Sequence, residues 1–235
     1  MKKKCAVWVL IKFTAFSLVL ALAVIYAGSA VGERTASANV DVPIKIVIDA
    51  GHGGFDGGAV ADDGTLEKDL NLSLALALER QLKVMGADVI MTRSADVMYA
   101  VPSSPHKKLD DLSHRIESAN AAGDCIFVSV HMNKFPVPKY SGLQVYYSPN
   151  NEESKILSDA IQNAVREALQ PDNSRLTKRS GDNIYILYKL TCPAVLVECG
   201  FLSNPEELEL LKTEEYREKL ALVLATALME YITTK

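Results

Sequence analysis

From residue 44 onward the hydrophobic positions fall into short apolar runs separated by amphipathic stretches. Ile44 to Asp49 (IKIVID) reads as a buried strand that runs into a glycine-rich loop. From Glu67 to Met85 the period changes. Leu70, Leu74, Leu78 and Leu82 recur at four-residue spacing, which predicts a helix with one apolar face, stopped by Gly86. Ala87 to Thr92 is the next strand. A loop with Pro102 and Pro105 leads to a helix over 109–122 that ends at Gly123. Cys125 to His131 (CIFVSVH) and Gly142 to Ser148 (GLQVYYS) are strands, and 151–169 is a helix ending before Pro171. Ile184 to Leu187 reads as a short strand and Ala194 to Glu198 (AVLVE) as a buried one. Pro205 opens a final helical region reaching about Ile232.

This alternation predicts an α/β fold: one domain, a mostly parallel twisted sheet of about six strands, and helices on both faces. Only Met132 to Ser141 separates two strands, too few residues for a parallel crossover. Strand 142–148 is therefore expected to run antiparallel.

The start of the chain has a different pattern. Lys2, Lys3, Lys4 and Lys12 precede an uncharged run, Phe13 to Gly32, about long enough to cross a bilayer. Residues 1–40 thus read as a signal peptide or N-terminal membrane anchor plus a short linker, with Ala36-Ser37-Ala38 as a small-residue cleavage site. If uncleaved, residues of about 5–32 would hold the chain to the membrane. Residues 41–235 would then lie on the extracytoplasmic side or be secreted.

Composition narrows the classes. The chain has 235 residues, 49% hydrophobic and 23% charged, which excludes a disordered polymer. Net charge is −4, and without the basic N-terminal segment it is more acidic, so no nucleic-acid partner is expected. Four cysteines and no CxxC pair exclude a disulfide scaffold and a zinc ribbon.

Open α/β sheets bind ligands at the carboxyl ends of their strands, where the chemically able residues collect. IKIVID leads into Gly51-His52-Gly53-Gly54, CIFVSV ends in His131, AVLV ends in Glu198, and Glu67 opens the first long helix at that edge. Alone, His52 also reads as a loop histidine, His131 as a core histidine, and Glu67 as a helix-dipole residue. Glu67 nevertheless shares the leucine face, and Glu198 follows four apolar residues, where an unpartnered carboxylate is costly. Two histidines, a carboxylate and an open position make a catalytic zinc set, with a second glutamate as general base.

The motifs IVIDAGHGGFDGGAV, LEKDLNLSLA, HRIESAN, FVSVHMN and AVLVECGFLSNPEE, spanning about 44 to 207, resemble the zinc-dependent N-acetylmuramoyl-L-alanine amidases of bacterial cell walls. The resemblance implies one Zn2+ per chain held by His52, Glu67 and His131, with Glu198 catalytic. It implies hydrolysis of the amide between N-acetylmuramic acid and the L-alanine of the peptidoglycan stem peptide, and an activator protein as a partner. Single-domain size and the N-terminal segment look most like the germination-specific branch, which helps make muramic δ-lactam in spore cortex. Competing readings are a zinc peptidase cutting within the stem peptide and an inactive wall-binding module.

Asn133, Arg115 and Asn120 are candidates for substrate contact or for support of the ligands. Lys178 and Arg179 read as a solvated basic turn or as a contact for peptidoglycan carboxylates. A cysteine nucleophile at Cys199 is disfavoured, because adjacent strand residues point to opposite faces and Glu198 claims the site face. Cys192 and Cys199 cannot bridge along an extended strand.

Overall fold

The computed structural model describes residues 44–101 and 103–234. The signal or anchor segment over 1–40 lies outside the described residues. The described residues belong to one compact unit.

Six strands, β1 (Lys45–Ala50), β2 (Val89–Met91), β3 (Cys125–Asn133), β4 (Gln144–Tyr147), β5 (Lys178–Arg179) and β6 (Ala194–Phe201), form one sheet. Their order is β2-β1-β3-β6-β4-β5. β1, β2, β3 and β6 are mutually parallel, and β4 pairs antiparallel with β6, as the short connection after Met132 requires. The two-residue β5 lies outside β4 and runs with it.

The helices are α1 (Glu67–Val84), α2 (Lys107–Ala122), α3 (Glu153–Ala168), α4 (Tyr185–Lys189), α5 (Pro205–Lys212) and α6 (Glu214–Thr233). α1, α3 and α6 bury one face of the sheet, with Leu74, Leu78, Ile161 and Leu224 fully enclosed against Ile46, Val128 and Val197. α2 and α4 bury the other face, where Phe127, Leu187, Leu196 and Val47 meet. Among the described residues no helix is long and apolar enough to cross a membrane.

Two elements differ from expectation. The run at 184–187 is not a strand but the first part of α4, whose Ile186 and Leu187 pack into the second cluster. Four apolar residues fit a buried helical turn as well as a strand. The outer strand is instead Lys178–Arg179, expected as a turn, which completes the edge by pairing with Tyr146 and Tyr147. The final helical region is broken by Thr213, whose hydroxyl accepts from the Tyr216 N–H to cap α6.

Candidate metal centre and active site

β1 delivers the chain into the loop from Gly51 to Leu66, and His52 there adopts a left-handed backbone with φ of 62°. A non-glycine residue in this region is strained and needs its surroundings to hold it. Glu67, the first residue of α1, is 4% exposed. His131 sits near the end of β3. His52 Nε2 lies 3.2 Å from Glu67 Oε1, and His131 Nδ1 lies 2.9 Å from the same oxygen. One donor atom from each residue fits within 4.8 Å of the other two.

Glycines make this approach feasible. A Cβ on Gly51 would stand 2.2 Å from His131 Nε2, inside the imidazole. One on Gly58 would stand 2.6 Å from Glu67 Oε2 and 2.7 Å from the His52 ring, and Gly58 has φ of +68°. Both positions therefore require glycine.

Two buried guanidiniums hold the strained loop from behind. Arg115 donates to the carbonyls of Ala50 (2.7 Å) and His52 (2.6 Å), to Asp49 Oδ1 (2.6 Å) and to Asp111 Oδ2 (2.8 Å). Arg93 donates to the carbonyls of Ala50 (2.8 Å), Gly51 (3.0 Å) and Lys68 (2.9 Å). Asn71, one helical turn after Glu67, donates to the Gly51 carbonyl and to Glu67 Oε1. Burial pushes the Asp49 carboxyl up, but Arg115 and the Ser129 and Thr92 hydroxyls outweigh it and hold it below the ordinary range.

Glu67 is also stabilised as a carboxylate. Burial opposes its charge, yet contacts from His131 and His52 win and lower its pKa. The Met132 N–H donates to its Oε1 and the Ala59 N–H to its Oε2. Burial disfavours charge on His52, but Glu67 and Asp56 outweigh it and raise its pKa. His52 Nδ1 lies 2.9 Å from Asp56 Oδ2, an ion-pair contact on the far side of the ring without hydrogen-bond alignment.

Glu198 faces His131 directly across β3 and β6. Burial raises its pKa to about 7, and the Glu67 carboxylate adds to the rise while the histidines oppose it. Its Oε2 is buried with no hydrogen-bond partner among the described residues. A buried, unmatched carboxylate oxygen beside two histidines and a second carboxylate suits a site for a cation and a reacting water. The donors, two imidazoles and a carboxylate, suit zinc.

Arg115 is 2% exposed, with its guanidinium committed to the loop carbonyls, Asp49 and Asp111. Asn120 is exposed on the last turn of α2, at the end of the helix that leads into the start of β3. This is the edge of the sheet opposite His131. Asn133 is half-buried beyond His131, and its carbonyl accepts from the Leu202 N–H. Lys178 and Arg179 are exposed on β5. Cys199 packs on the opposite face of β6 from Glu198, in the first core cluster, and burial raises its pKa well above the ordinary thiol value. That placement is unsuited to a nucleophile. Arg93 and Asn71 were not singled out by the sequence.

Residues 46–230 match the model of the N-acetylmuramoyl-L-alanine amidase family. The chain belongs to the N-acetylmuramoyl-L-alanine amidase family. The four residues gathered above all lie within the match. The amidase is 36% identical over 193 residues to the germination-specific N-acetylmuramoyl-L-alanine amidase of Bacillus subtilis, covering 81% of this chain and 80% of that one. It is 28% identical over 228 residues to the amidase AmiA of Escherichia coli, covering 79% of this chain and 75% of AmiA. Among solved structures it resembles the CwlD amidase of Clostridioides difficile, determined in complex with the GerS lipoprotein. That likeness has a TM-score of 0.78 at 36% identity and covers 82% of this chain and all of that one. The amidase AmiC2 of Nostoc punctiforme gives a TM-score of 0.71 at 29% identity, covering 81% of this chain and 97% of AmiC2. The protein is thus a hydrolase of the amide joining N-acetylmuramic acid to L-alanine in peptidoglycan.

Proposed function

We propose that this amidase is a zinc enzyme in which His52, Glu67 and His131 hold the ion and Glu198 moves the proton. The observation that carries the reading is the Glu198 oxygen, buried and unpartnered beside three converging donor groups. Bound zinc would supply Lewis-acid polarisation of the scissile carbonyl and acidify a water. Glu198 takes a proton from the attacking water and delivers it to the L-alanine nitrogen as the carbon–nitrogen bond breaks. Its raised pKa suits both halves of that transfer near neutral pH. Arg93, Arg115 and Asn71 do no chemistry. They fix the loop so that His52 and Glu67 meet His131 without rearrangement.

The physiological setting we infer is the spore cortex, where stem-peptide removal precedes muramic δ-lactam formation. Support comes from the germination-specific relative and from the CwlD structure. The latter, determined with a lipoprotein, also supports a lipoprotein activator for this chain. The basic, apolar N-terminal segment supports export to the outer face of the membrane.

Digestion of purified peptidoglycan tests the reaction. The zinc-loaded enzyme, with its activator where one is needed, should release peptides with a new N-terminal alanine and leave glycan length unchanged. A different new N-terminus would make it a peptidase, and no release under those conditions would overturn the amidase reading. Spores lacking the protein should lack muramic δ-lactam, and normal lactam would remove the cortex assignment alone.

A further inference from the structure

Two thiols lie together at the edge of the sheet opposite the proposed metal site. β3 and β6 are parallel neighbours in which Phe127 pairs with Ala194, and the Phe127 N–H donates to the Pro193 carbonyl at 2.9 Å. Two residues before that pair stand Cys125, the first residue of β3, and Cys192. Cys192 lies in the bend just before β6, and both cysteines pack with Phe127 and Ala194 in the second core cluster. The Phe127 bond to Pro193 holds this bend beside the start of β3, where paired strands lie about 4.8 Å apart, a spacing that falls within the Cα separation of about 4.4–6.8 Å that a cystine spans.

Cys125 Sγ donates to the Ala119 carbonyl at 3.5 Å, and the two thiols are close enough to perturb each other's ionisation. Their interaction lowers the pKa of Cys125 and raises that of Cys192. Cys192 is partly exposed, and both residues line an open cleft of about 460 Å3 with Gly123, Asp124 and Thr191, so a reagent can reach the pair. A buried cysteine alone behaves as a small hydrophobe, and Cys199 fits that description. Cys125 and Cys192 differ in that each has the other as its neighbour.

We propose that Cys125 and Cys192 are a dithiol that closes to a disulfide when the chain meets an oxidising compartment. The physiological part rests on the reading that the protein is exported. The oxidant is a disulfide, either a low-molecular-weight one or that of a thiol–disulfide oxidase. One cysteine, as thiolate, attacks a sulfur of the oxidant and expels one thiolate, leaving a mixed disulfide. The second cysteine gives up its proton and attacks the protein sulfur of that bond, expelling the other thiolate. The protein loses two electrons and two protons, and the oxidant becomes two thiols. The bond would tie together the far ends of the two strands that carry His131 and Glu198.

The full-length chain, purified reduced and exposed to glutathione disulfide, tests this. Peptide mapping without reductant should find Cys125 linked to Cys192, and the melting temperature should rise by several degrees and fall back on reduction. Cys192→Ala should abolish link and shift, and Cys199→Ala should keep both. Cys125→Ser serves as a second partner variant if Cys192→Ala folds poorly. Glutathione adducts without a link, a link to any other cysteine, or two thiols still open to alkylation would each overturn the proposal. Alkylation in intact cells reads the export question separately. Reduced thiols there, with ready linkage in the purified chain, would overturn export and leave the dithiol standing. Alanine release is assayed on both forms, so loss of the amidase reading is distinguishable from loss of this one.

Discussion

His131 and Glu198 are register partners on adjacent parallel strands. One is a proposed ligand and the other the proposed proton carrier, and their spacing is fixed by the backbone ladder rather than by either side chain. Glu198→Gln keeps size and position but removes the base. Zinc content should stay at one per chain while kcat falls about 100- to 10,000-fold. Metal analysis beside an alanine-release assay checks this, and loss of zinc from the variant would make Glu198 a ligand.

Glu198 also predicts a pH effect on the metal-free fold. Its folded pKa is raised from 4.5 to about 7. The stability it permits is complete below 4.5 and is lost as pH rises through 7, because the folded state must then ionise a buried carboxyl. At about 1.4 kcal/mol per unit the loss is about 3 kcal/mol. Urea unfolding of chelator-treated protein should show most of that loss between pH 5 and pH 8, and Glu198→Gln should remove this share while the loss from His52, whose pKa is also raised, remains.

Gly51→Ala pushes a methyl into the His131 ring. Zinc affinity should fall by about 10- to 100-fold, in line with other changes to ligand orientation. Gly57→Ala is the control, since its Cβ would meet only Leu66 at 3.6 Å. Competition with a chromophoric chelator measures both.

Arg115→Ala removes the partner of buried Asp49 and three further contacts. Breaking such a pair costs about 3–5 kcal/mol, read from urea midpoints. Arg115→Lys should recover only part of this, because an ammonium cannot reproduce the fork of donors.

Deleting residues 1–40 should leave a soluble, cooperatively folded enzyme, since among the described residues Ile44 is the first packed against the core clusters. Circular dichroism and thermal melting decide it, and aggregation would count against the domain boundary.

The central strands were legible because β1, β3 and β6 are buried on both faces and read as unbroken apolar runs. His52, His131, Glu67 and Glu198 were legible because each interrupts an apolar or glycine pattern at the carboxyl edge. β5 was not, since two edge residues named Lys178 and Arg179 are paired by backbone alone and carry no hydrophobic signature. Arg93 follows a strand as many solvated arginines do, and only the fold turns it toward four carbonyls. Asn71 had a usable signal. It stands four residues after Glu67 on the leucine-lined side of α1, where a polar side chain needs a partner.

The reversed direction of β4 places both ends of the segment joining it to β3 on the rim of the site. Residues 134–141 are exposed throughout, and the Phe135 and Tyr140 rings meet edge to face with centroids 5.0 Å apart. Because this segment never has to travel around the sheet, residues can be added or exchanged in it without re-threading a strand. The segment's length and side chains are therefore free of the constraints that the sheet places on its neighbours. Grafting it between relatives should change which stem peptides are accepted while zinc content stays the same.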